Sequence, residues 1–139
     1  MRTGLLLVLT FWSTLLVAET LPDKEAVKSL TESVMVKIAA VNYDEGLDMV
    51  KPYLIASDLE FNSLKTQLKL QAPNIEKRFG KSLEAELISI KEVGKSLMLI
   101  EYLQKFEKHV MSWKFYYYQP KTGWVLNTLK FDHKINNLF

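Results

Sequence analysis

The sequence contains no cysteine. This absence excludes disulfide bonds, thiolate zinc sites, a cysteine nucleophile and a lipid-modified N-terminal cysteine. Glycine and proline are also scarce, with 5 and 4 copies, and no glycine-rich segment of the kind that cradles a phosphate is present. We therefore expect the chain to be stabilised by the packing of ordinary side chains, without a covalent cross-link.

Neither sign of charge dominates the sequence. Lys and Arg total 18 against 16 Asp and Glu, which gives a net charge of +2. A protein that binds nucleic acid through its backbone usually has a concentrated basic surface, so we predict no nucleic-acid partner. A hydrophobic fraction of 48% over 139 residues is typical of one folded globular domain.

The N-terminal residues resemble a secretory signal. Arg2 is followed by an apolar run, Leu5 to Val17, that contains no charge. As a helix this run would span about 20 Å at ~1.5 Å per residue, which is short of the ~30 Å hydrocarbon core of a bilayer. We predict a signal peptide over 1–18, cleaved near Ala18, and a mature domain over 19–139. An uncleaved anchor or a buried N-terminal helix is the alternative.

Export combined with the lack of cysteine indicates a compartment. Small secreted eukaryotic domains commonly depend on disulfides, and this chain has none to form. We therefore expect the mature protein in a bacterial periplasm or outside the cell, with no stable membrane span after cleavage.

The first half of the mature chain has a helical pattern. Apolar residues recur every three or four positions over 23–41, and shorter runs of the same kind cover 44–51 and 57–71. Proline at position 73 predicts a break in the third helix, followed by a short turn over 74–79 that ends at Gly80.

The second half alternates between apolar and polar residues, which is typical of strands. We predict strands over 83–93, 96–107, 110–119 and 124–132. The connections between them are too short for parallel crossovers, so the sheet should be an antiparallel meander. The predicted fold class is α+β, with N-terminal helices packed on a curved four-stranded sheet.

The last hairpin allows a prediction of register. A loop over 121–123 with Gly123 in the left-handed region would place Trp113 opposite Phe131, Phe115 opposite Leu129 and Tyr117 opposite Asn127. The buried surface would then comprise Met111, Trp113, Phe115, Tyr117, Val125, Leu129 and Phe131. The outer surface would comprise Ser112, Lys114, Tyr116, Tyr118, Leu126, Thr128, Lys130 and Asp132.

This order of elements, with the aromatic run WKFYYY at 113–118 and the turn PKTGWVL at 120–126, resembles the nuclear-transport-factor-like or cystatin-like cone superfamily. The resemblance implies a curved sheet around a long helix, with a pocket at the open end. Members include isomerases, dehydratases, polyketide cyclases and small exported proteins without known activity. Residues expected to line the pocket here are Tyr102, Met111, Trp113, Phe115, Tyr117, Leu129 and Phe131.

An isomerase-like site would need a carboxylate base near an acidic donor such as tyrosine. Tyr102 and Tyr117 are the candidate donors, and Glu101 and Asp132 are the candidate bases. We expect Glu101 to be a solvated strand charge, because Glu is rarely buried without a partner. The register places Asp132 on the outer surface, so no catalytic residue is predicted.

The remaining polar residues give no site. His109 and His133 have no second histidine or carboxylate at metal-ligand spacing, so we predict no metal and no cofactor. The local basic concentration comprises Lys65, Lys69, Lys77, Arg78 and Lys81. We expect most of it to be a solvated helix face, with contact to an anionic lipid or an envelope polymer as the less favoured interpretation.

Strong patterning without a convergent catalytic set favours a non-enzymatic exported protein. It would bind an apolar or amphipathic ligand in the cone pocket, or a partner through the outer sheet surface. The alternatives are an isomerase- or cyclase-like enzyme for a hydrophobic carbonyl compound, and a homodimer formed through Tyr116, Tyr118 and Leu126.

Overall fold

The computed structural model describes residues 18–139, so the predicted signal peptide lies outside the described residues except for Ala18. Helices come first and strands second, which confirms the α+β class. The elements are α1 Lys24–Ala39, α2 Tyr43–Val50, a 3₁₀ turn Lys51–Tyr53, α3 Asp58–Phe79, β1 Ser82–Val93, β2 Leu97–Phe106, β3 Val110–Tyr118, β4 Val125–Asp132 and a closing 3₁₀ turn Ile135–Leu138. The strands form one sheet in the order β1-β2-β3-β4, and every neighbouring pair is antiparallel.

Helix α1 begins where the sequence places its cap. The carboxylate of Asp23 accepts a hydrogen bond from the backbone N–H of Ala26 at 2.8 Å, which satisfies one of the unpaired donors of the first turn. The buried residues of α1 follow the predicted stripe and are Val27, Thr31, Val34, Met35 and Ile38. This face packs on the inner surface of the sheet, over β1 and β2.

The predicted break in the third helix is wrong. Helix α3 continues through Pro73 for 22 residues and ends before Gly80, whose φ is +84°. Its start is fixed by a capping box, in which Ser57 and Glu60 exchange hydrogen bonds. Beyond the proline, Ile75 and Phe79 are buried in the core. This burial offsets the cost of the hydrogen bond that a proline cannot donate.

The predicted register of the last hairpin holds over half its length. Trp113 pairs with Phe131 and Phe115 pairs with Leu129, as expected, but Tyr117 pairs with Leu126. Asn127 is an extra residue on β4, so the strand contains a β-bulge that reverses the faces of the residues before it.

The bulge corrects two predictions. Leu126 was expected on the outer surface, yet it faces the core and is 0% exposed. Val125, expected to face inward, pairs with Tyr118 on the outer side. Gly123 also differs from expectation, because its φ is not positive; it is needed because Thr20 packs where a β-carbon would lie.

The core lies between α1, α3 and the inner face of the sheet. Trp113 and Phe115 are both 0% exposed there. The edge of β4 is covered, since Leu54 and Leu21 form bridges to Leu126 and Trp124. Strand β1 forms the other edge, and its pairing with β2 is irregular at two places.

The two ends of the sheet differ. The turns between β1 and β2 and between β3 and β4 lie together at one end, where Gln119 N–H donates to Ser96 C=O at 2.8 Å. We call this the turn end. At the other end the β2–β3 turn meets the C-terminus of α3, and Lys108 N–H donates to Phe79 C=O at 2.9 Å. We call this the mouth.

Candidate ligand-binding site

A cavity of about 740 Å³ opens at the mouth, between the start of α2, the C-terminal half of α3 and the start of β1. Its apolar wall is formed by Val41, Ala72, Ile75 and Phe106. Tyr43 and Ser82 contribute hydroxyl groups, and charged side chains form the rim. The volume and this mixture of walls are typical of a small-molecule site.

A buried amide organises the polar groups behind the cavity. Gln104 is 0% exposed, and its Oε1 accepts a hydrogen bond from Trp113 Nε1 at 3.1 Å. An indole N–H only donates, so this bond fixes the orientation of the amide. The Nε2 of Gln104 therefore faces Tyr43 Oη at 3.1 Å, Ser82 Oγ at 3.0 Å and Ile38 C=O at 3.2 Å.

The same network connects elements that are distant in sequence. Ser82 Oγ donates to Ala39 C=O at 2.7 Å, which joins the start of β1 to the end of α1. Tyr43, at the first position of α2, stacks on Trp113 of β3 with ring centroids 6.3 Å apart. The mouth is thus held by hydrogen bonds between five elements, α1, α2, β1, β2 and β3, which fix the orientation of its polar groups.

Tyr43 is the donor that this arrangement leaves available. Among the described residues, its hydroxyl forms one hydrogen bond, in which it accepts from Gln104. Burial raises the pKa of Tyr43; the hydrogen bond from Gln104 opposes this effect and the nearby charge of Glu76 adds to it. The phenol therefore keeps its proton at neutral pH and can donate a hydrogen bond to an acceptor in the cavity.

Backbone strain lies at the edge of the cavity. Val41 has φ +65°, in the left-handed region that β-branched residues rarely adopt, and its side chain is 50% exposed. Its N–H donates to Ile38 C=O at 2.9 Å, which helps to hold this conformation at the end of α1. Asn42 N–H donates to Lys37 C=O at 2.9 Å as well, so Val41 occupies the left-handed position of a Schellman cap that ends α1.

The rim carries charges of both signs. Asp44 lies 2.7 Å from Lys69 Nζ and 3.6 Å from Lys65 Nζ. The hydrogen bond from Lys69 is the main reason why the pKa of Asp44 is below its usual value. Asp44 therefore remains an anion at neutral pH, while Glu76 and Lys81 line other parts of the rim.

The two tyrosines that the sequence suggested as donors, Tyr102 and Tyr117, do not line this cavity. Tyr117 Oη lies 2.7 Å from Thr31 Oγ1, and because Thr31 donates to Val27 C=O, Tyr117 is the donor of the pair. Burial raises the pKa of Tyr117 well above the usual value for a tyrosine. Tyr102 is 8% exposed, and burial, with the charge of Glu32, raises its pKa as well.

The other residues predicted to line a pocket are in the core or beside a different cavity. Met111, Trp113 and Phe115 are at most 1% exposed and fill the space under the helices. Leu129 and Phe131 border a separate cavity of about 460 Å³ near Leu64, at the β4 side of the sheet. The seven residues therefore do not line one common cavity.

The candidate bases lie on the opposite face of the sheet from Tyr102 and Tyr117. Glu101 accepts a hydrogen bond from Ser112 Oγ at 2.9 Å and lies 3.4 Å from Lys114 Nζ. Asp132 accepts from Lys134 N–H and Asn137 Nδ2, which lowers its pKa. The structure does not bring the predicted tyrosines and carboxylates together.

The two histidines are close in space, which their sequence positions did not indicate. His109 Nε2 lies 2.7 Å from the backbone carbonyl of His133, and both rings pack on Phe79, with centroids 4.4 and 5.9 Å away. Within residues 18–139, no group of three or more His, Asp or Glu side chains is placed to hold a metal ion.

None of the helices in the described part of the chain combines the length and the apolar character that crossing a membrane requires.

The sequence interpretation missed Tyr43, Ser82 and Gln104. Gln104 offered a usable indication, because it occupies an inward position of β2 between Tyr102 and Phe106. A polar residue at such a position needs buried partners. Nothing in the spacing indicated that those partners would come from α2 and β1.

A comparison of the chain with known protein families finds no match, and neither does a comparison with curated proteins or one with solved structures.

Proposed function

We propose that the protein is a non-enzymatic binding protein that holds an amphipathic small molecule in the cavity at the mouth. The observation that carries this proposal is Tyr43, a residue of the cavity wall whose hydroxyl donates a hydrogen bond to no described group. A ligand would place a hydrogen-bond acceptor at Tyr43 and its apolar part against Ile75 and Phe106.

The site is suited to binding because its polar groups need no rearrangement. Gln104 holds the Tyr43 hydroxyl through a bond that is fixed in turn by Trp113. A preorganised donor avoids the entropic cost of ordering a side chain when the ligand arrives.

Export is part of the same proposal. The chain joins the fold from Glu19 onward, since Glu19 N–H donates to Pro52 C=O at 2.8 Å and Leu21 exchanges two backbone hydrogen bonds with Trp124. Cleavage after Ala18 would leave all of these bonds in place. We propose that the mature domain works in a bacterial periplasm or outside the cell.

The resemblance to the nuclear-transport-factor-like or cystatin-like cone superfamily remains a proposal. It is supported by three helices followed by a meander, with the aromatic residues of β3 packed against the helical layer. A shared architecture would not by itself define the ligand.

An isomerase- or cyclase-like reaction on a hydrophobic carbonyl compound is the second candidate. One observation favours it, namely that Tyr43 and Glu76 line the same cavity. Tyr43 would donate to the carbonyl oxygen while Glu76 removed a proton. If this candidate is correct, Glu76→Gln abolishes turnover of a carbonyl compound that still binds; a pure binding protein shows no turnover in either form.

The binding proposal is tested with 1-anilinonaphthalene-8-sulfonate, whose fluorescence rises in an apolar site. Ala72→Trp fills the cavity from α3, and we expect the affinity for the probe to fall by about tenfold or more, because its volume is lost. Tyr43→Phe removes one hydrogen bond, which corresponds to a loss of about fivefold.

The matched control is Leu70→Trp on the same helix. Leu70 is 77% exposed and lies outside the cavity wall, so this variant adds an indole without filling the site. Thermal unfolding of each variant verifies that it is folded. Equal probe affinity in Ala72→Trp and Leu70→Trp would refute binding at the mouth.

A further inference from the structure

An apolar surface lies at the turn end, on the outer face of the sheet. Val93, Leu97, Tyr118 and Val125 pair successively across all four strands, so their side chains form one row. Val93, Leu97 and Tyr118 are 55%, 47% and 39% exposed, and Ile55, beside the β4 edge, is 51% exposed. Val125 is 8% exposed and closes the row at the β4 edge. We call Val93, Leu97, Tyr118, Val125 and Ile55 the apolar row.

Lysines surround the apolar row. Lys91 is on the outer face of β1, Lys95 is in the β1–β2 turn and Lys121 is in the β3–β4 turn. Lys130 lies over the ring of Tyr116, with Nζ 5.8 Å from the centroid, which places it on the same face.

Most of the acidic side chains near the row form ion pairs. Glu101, on the outer face, is paired with Lys114 at 3.4 Å. Glu92 is on the inner side of β1 and forms an ion pair with Lys24 of α1 at 3.0 Å. Glu19 and Asp58 line the groove beside Ile55, and Asp58 lies 3.8 Å from Lys51 Nζ. Lysines still outnumber carboxylates around the apolar row, which complements an anionic partner.

The described part of the chain begins at the same place. Ala18, the first described residue, lines one groove together with Ile55, Tyr118 and Val125. The 13 residues from Leu5 to Val17 precede it directly. Cleavage near Ala18 would therefore place the mature amino terminus beside the apolar row.

We propose that the apolar row binds peripherally to a bilayer of anionic lipids. Val93, Leu97 and Tyr118 would enter the headgroup region, where a tyrosine can bury its ring and keep its hydroxyl in water. The lysines around them would contact lipid phosphates.

A second copy of the chain fits this surface less well. A two-fold interface through the apolar row would bring Lys95 and Lys121 of one protomer towards the same residues of its partner, and like charges at an interface are unfavourable. The membrane contact is also independent of ligand binding, because the apolar row and the mouth are at opposite ends of the sheet.

The test measures co-sedimentation of the exported protein, with its amino terminus verified by mass spectrometry, with two kinds of vesicle. Vesicles of equal parts phosphatidylglycerol and phosphatidylcholine are compared with vesicles of phosphatidylcholine alone. We expect binding to the anionic vesicles only, and weaker binding as the salt concentration rises. The double variant Lys95→Gln/Lys121→Gln should lower the apparent affinity by about tenfold or more.

Two further variants make the test specific. Lys77→Gln/Lys108→Gln removes the same charge at the mouth end and should bind as the wild type does. Val93→Ser/Leu97→Ser removes exposed apolar groups, which should weaken binding while leaving the fold intact. The melting temperature of each variant checks the fold.

Three results would overturn the proposal. The first is equal binding of the wild type to both kinds of vesicle, or to neither. The second is an equal loss of affinity in the two double-lysine variants. The third is a wild-type dimer in light scattering that Val93→Ser/Leu97→Ser converts to monomer without any change in vesicle binding.

Discussion

Gln104 connects the stability of the mouth to its capacity to bind. Its oxygen accepts from Trp113, and its nitrogen faces Tyr43 and Ser82. A buried amide is the residue type that can satisfy an indole N–H and two hydroxyl groups at once. In the proposed site, the side chain that would contact a ligand, Tyr43, therefore differs from the side chains that hold it, Gln104 and Trp113.

Replacement of this amide by an apolar group of similar size tests that role. Gln104→Leu leaves the buried indole N–H of Trp113 without a partner, whereas the carbonyl of Ile38 still accepts from Val41 N–H. An orphaned buried donor costs about 1–3 kcal/mol, so we expect the free energy of unfolding to fall by about that amount, measured by urea denaturation.

The control for this variant is Gln67→Leu on the exposed side of α3, which should change the free energy of unfolding by less than about 0.5 kcal/mol. A loss of the same size in both variants would show that the Gln104 network contributes nothing specific.

At the scale of elements, helix α3 shows that packing against the core can override the tendency of a proline to end a helix. A proline ordinarily ends a helix, because it lacks an N–H and clashes with the preceding turn. Here Phe61 and Leu68 before the proline, and Ile75 and Phe79 after it, are buried on one side of a single helix. The sequence shows each of these residues but not that all four contact the same core.

Pro73→Ala tests the continuous helix. If Pro73 lies in a helix that continues on both sides, alanine restores a backbone donor and removes the clash, and we expect stability to rise by about 1–2 kcal/mol. A broken helix would predict a loss, because proline limits the freedom of the unfolded chain. Urea denaturation decides between them, with Pro120→Ala in the β3–β4 turn as the control.

The sheet was the most predictable part of the fold. Alternation over β2, β3 and β4, with turns too short for crossovers, predicted the meander and the pairs Trp113–Phe131 and Phe115–Leu129. The bulge at Asn127 was not predictable from the sequence, because its free-energy cost depends on how well the side chain of Leu126 packs in the core. The structure shows that Leu126 gains full burial.

The candidate site was less predictable than the fold. Tyr43, Ser82 and Gln104 come from three elements separated by many residues, and no spacing rule connects them. The aromatic run of β3 pointed correctly to the core, but core residues and pocket residues have the same pattern in a strand. Only the packing of the helices decides which of them a ligand can reach.

Considered as a whole, the molecule has two ends with different chemistry. The mouth presents a cavity with a fixed donor, and the turn end presents an apolar row surrounded by lysines. Trp113 and the other core aromatics lie between them, so the two surfaces share one rigid sheet. A membrane contact at one end would leave the mouth open to the surrounding solution.

Alkaline pH should destabilise the whole domain through its buried tyrosines. Burial raises the pKa of Tyr117 above the value of 10.0 expected in the unfolded chain. Between these two values the unfolded state releases a proton that the folded state keeps, so stability is complete below pH 10 and falls as the pH rises above it. The expected slope from this one group is about 1.4 kcal/mol per pH unit.

Urea denaturation between pH 9 and 11 measures the effect, with Tyr117→Phe compared to Tyr118→Phe, which removes an exposed phenol. The Tyr117 variant should lose stability less steeply with pH than the Tyr118 variant. Parallel pH profiles would contradict a protonated, buried Tyr117.

Native mass spectrometry of the protein isolated from the cells that make it tests the central claim most directly. We predict that the wild type carries a small-molecule adduct in one-to-one ratio and that Ala72→Trp, with its cavity filled, has lost it while Leu70→Trp has kept it. A wild type that shows only the mass of the bare chain, or an adduct that survives in Ala72→Trp, would contradict ligand binding at the mouth.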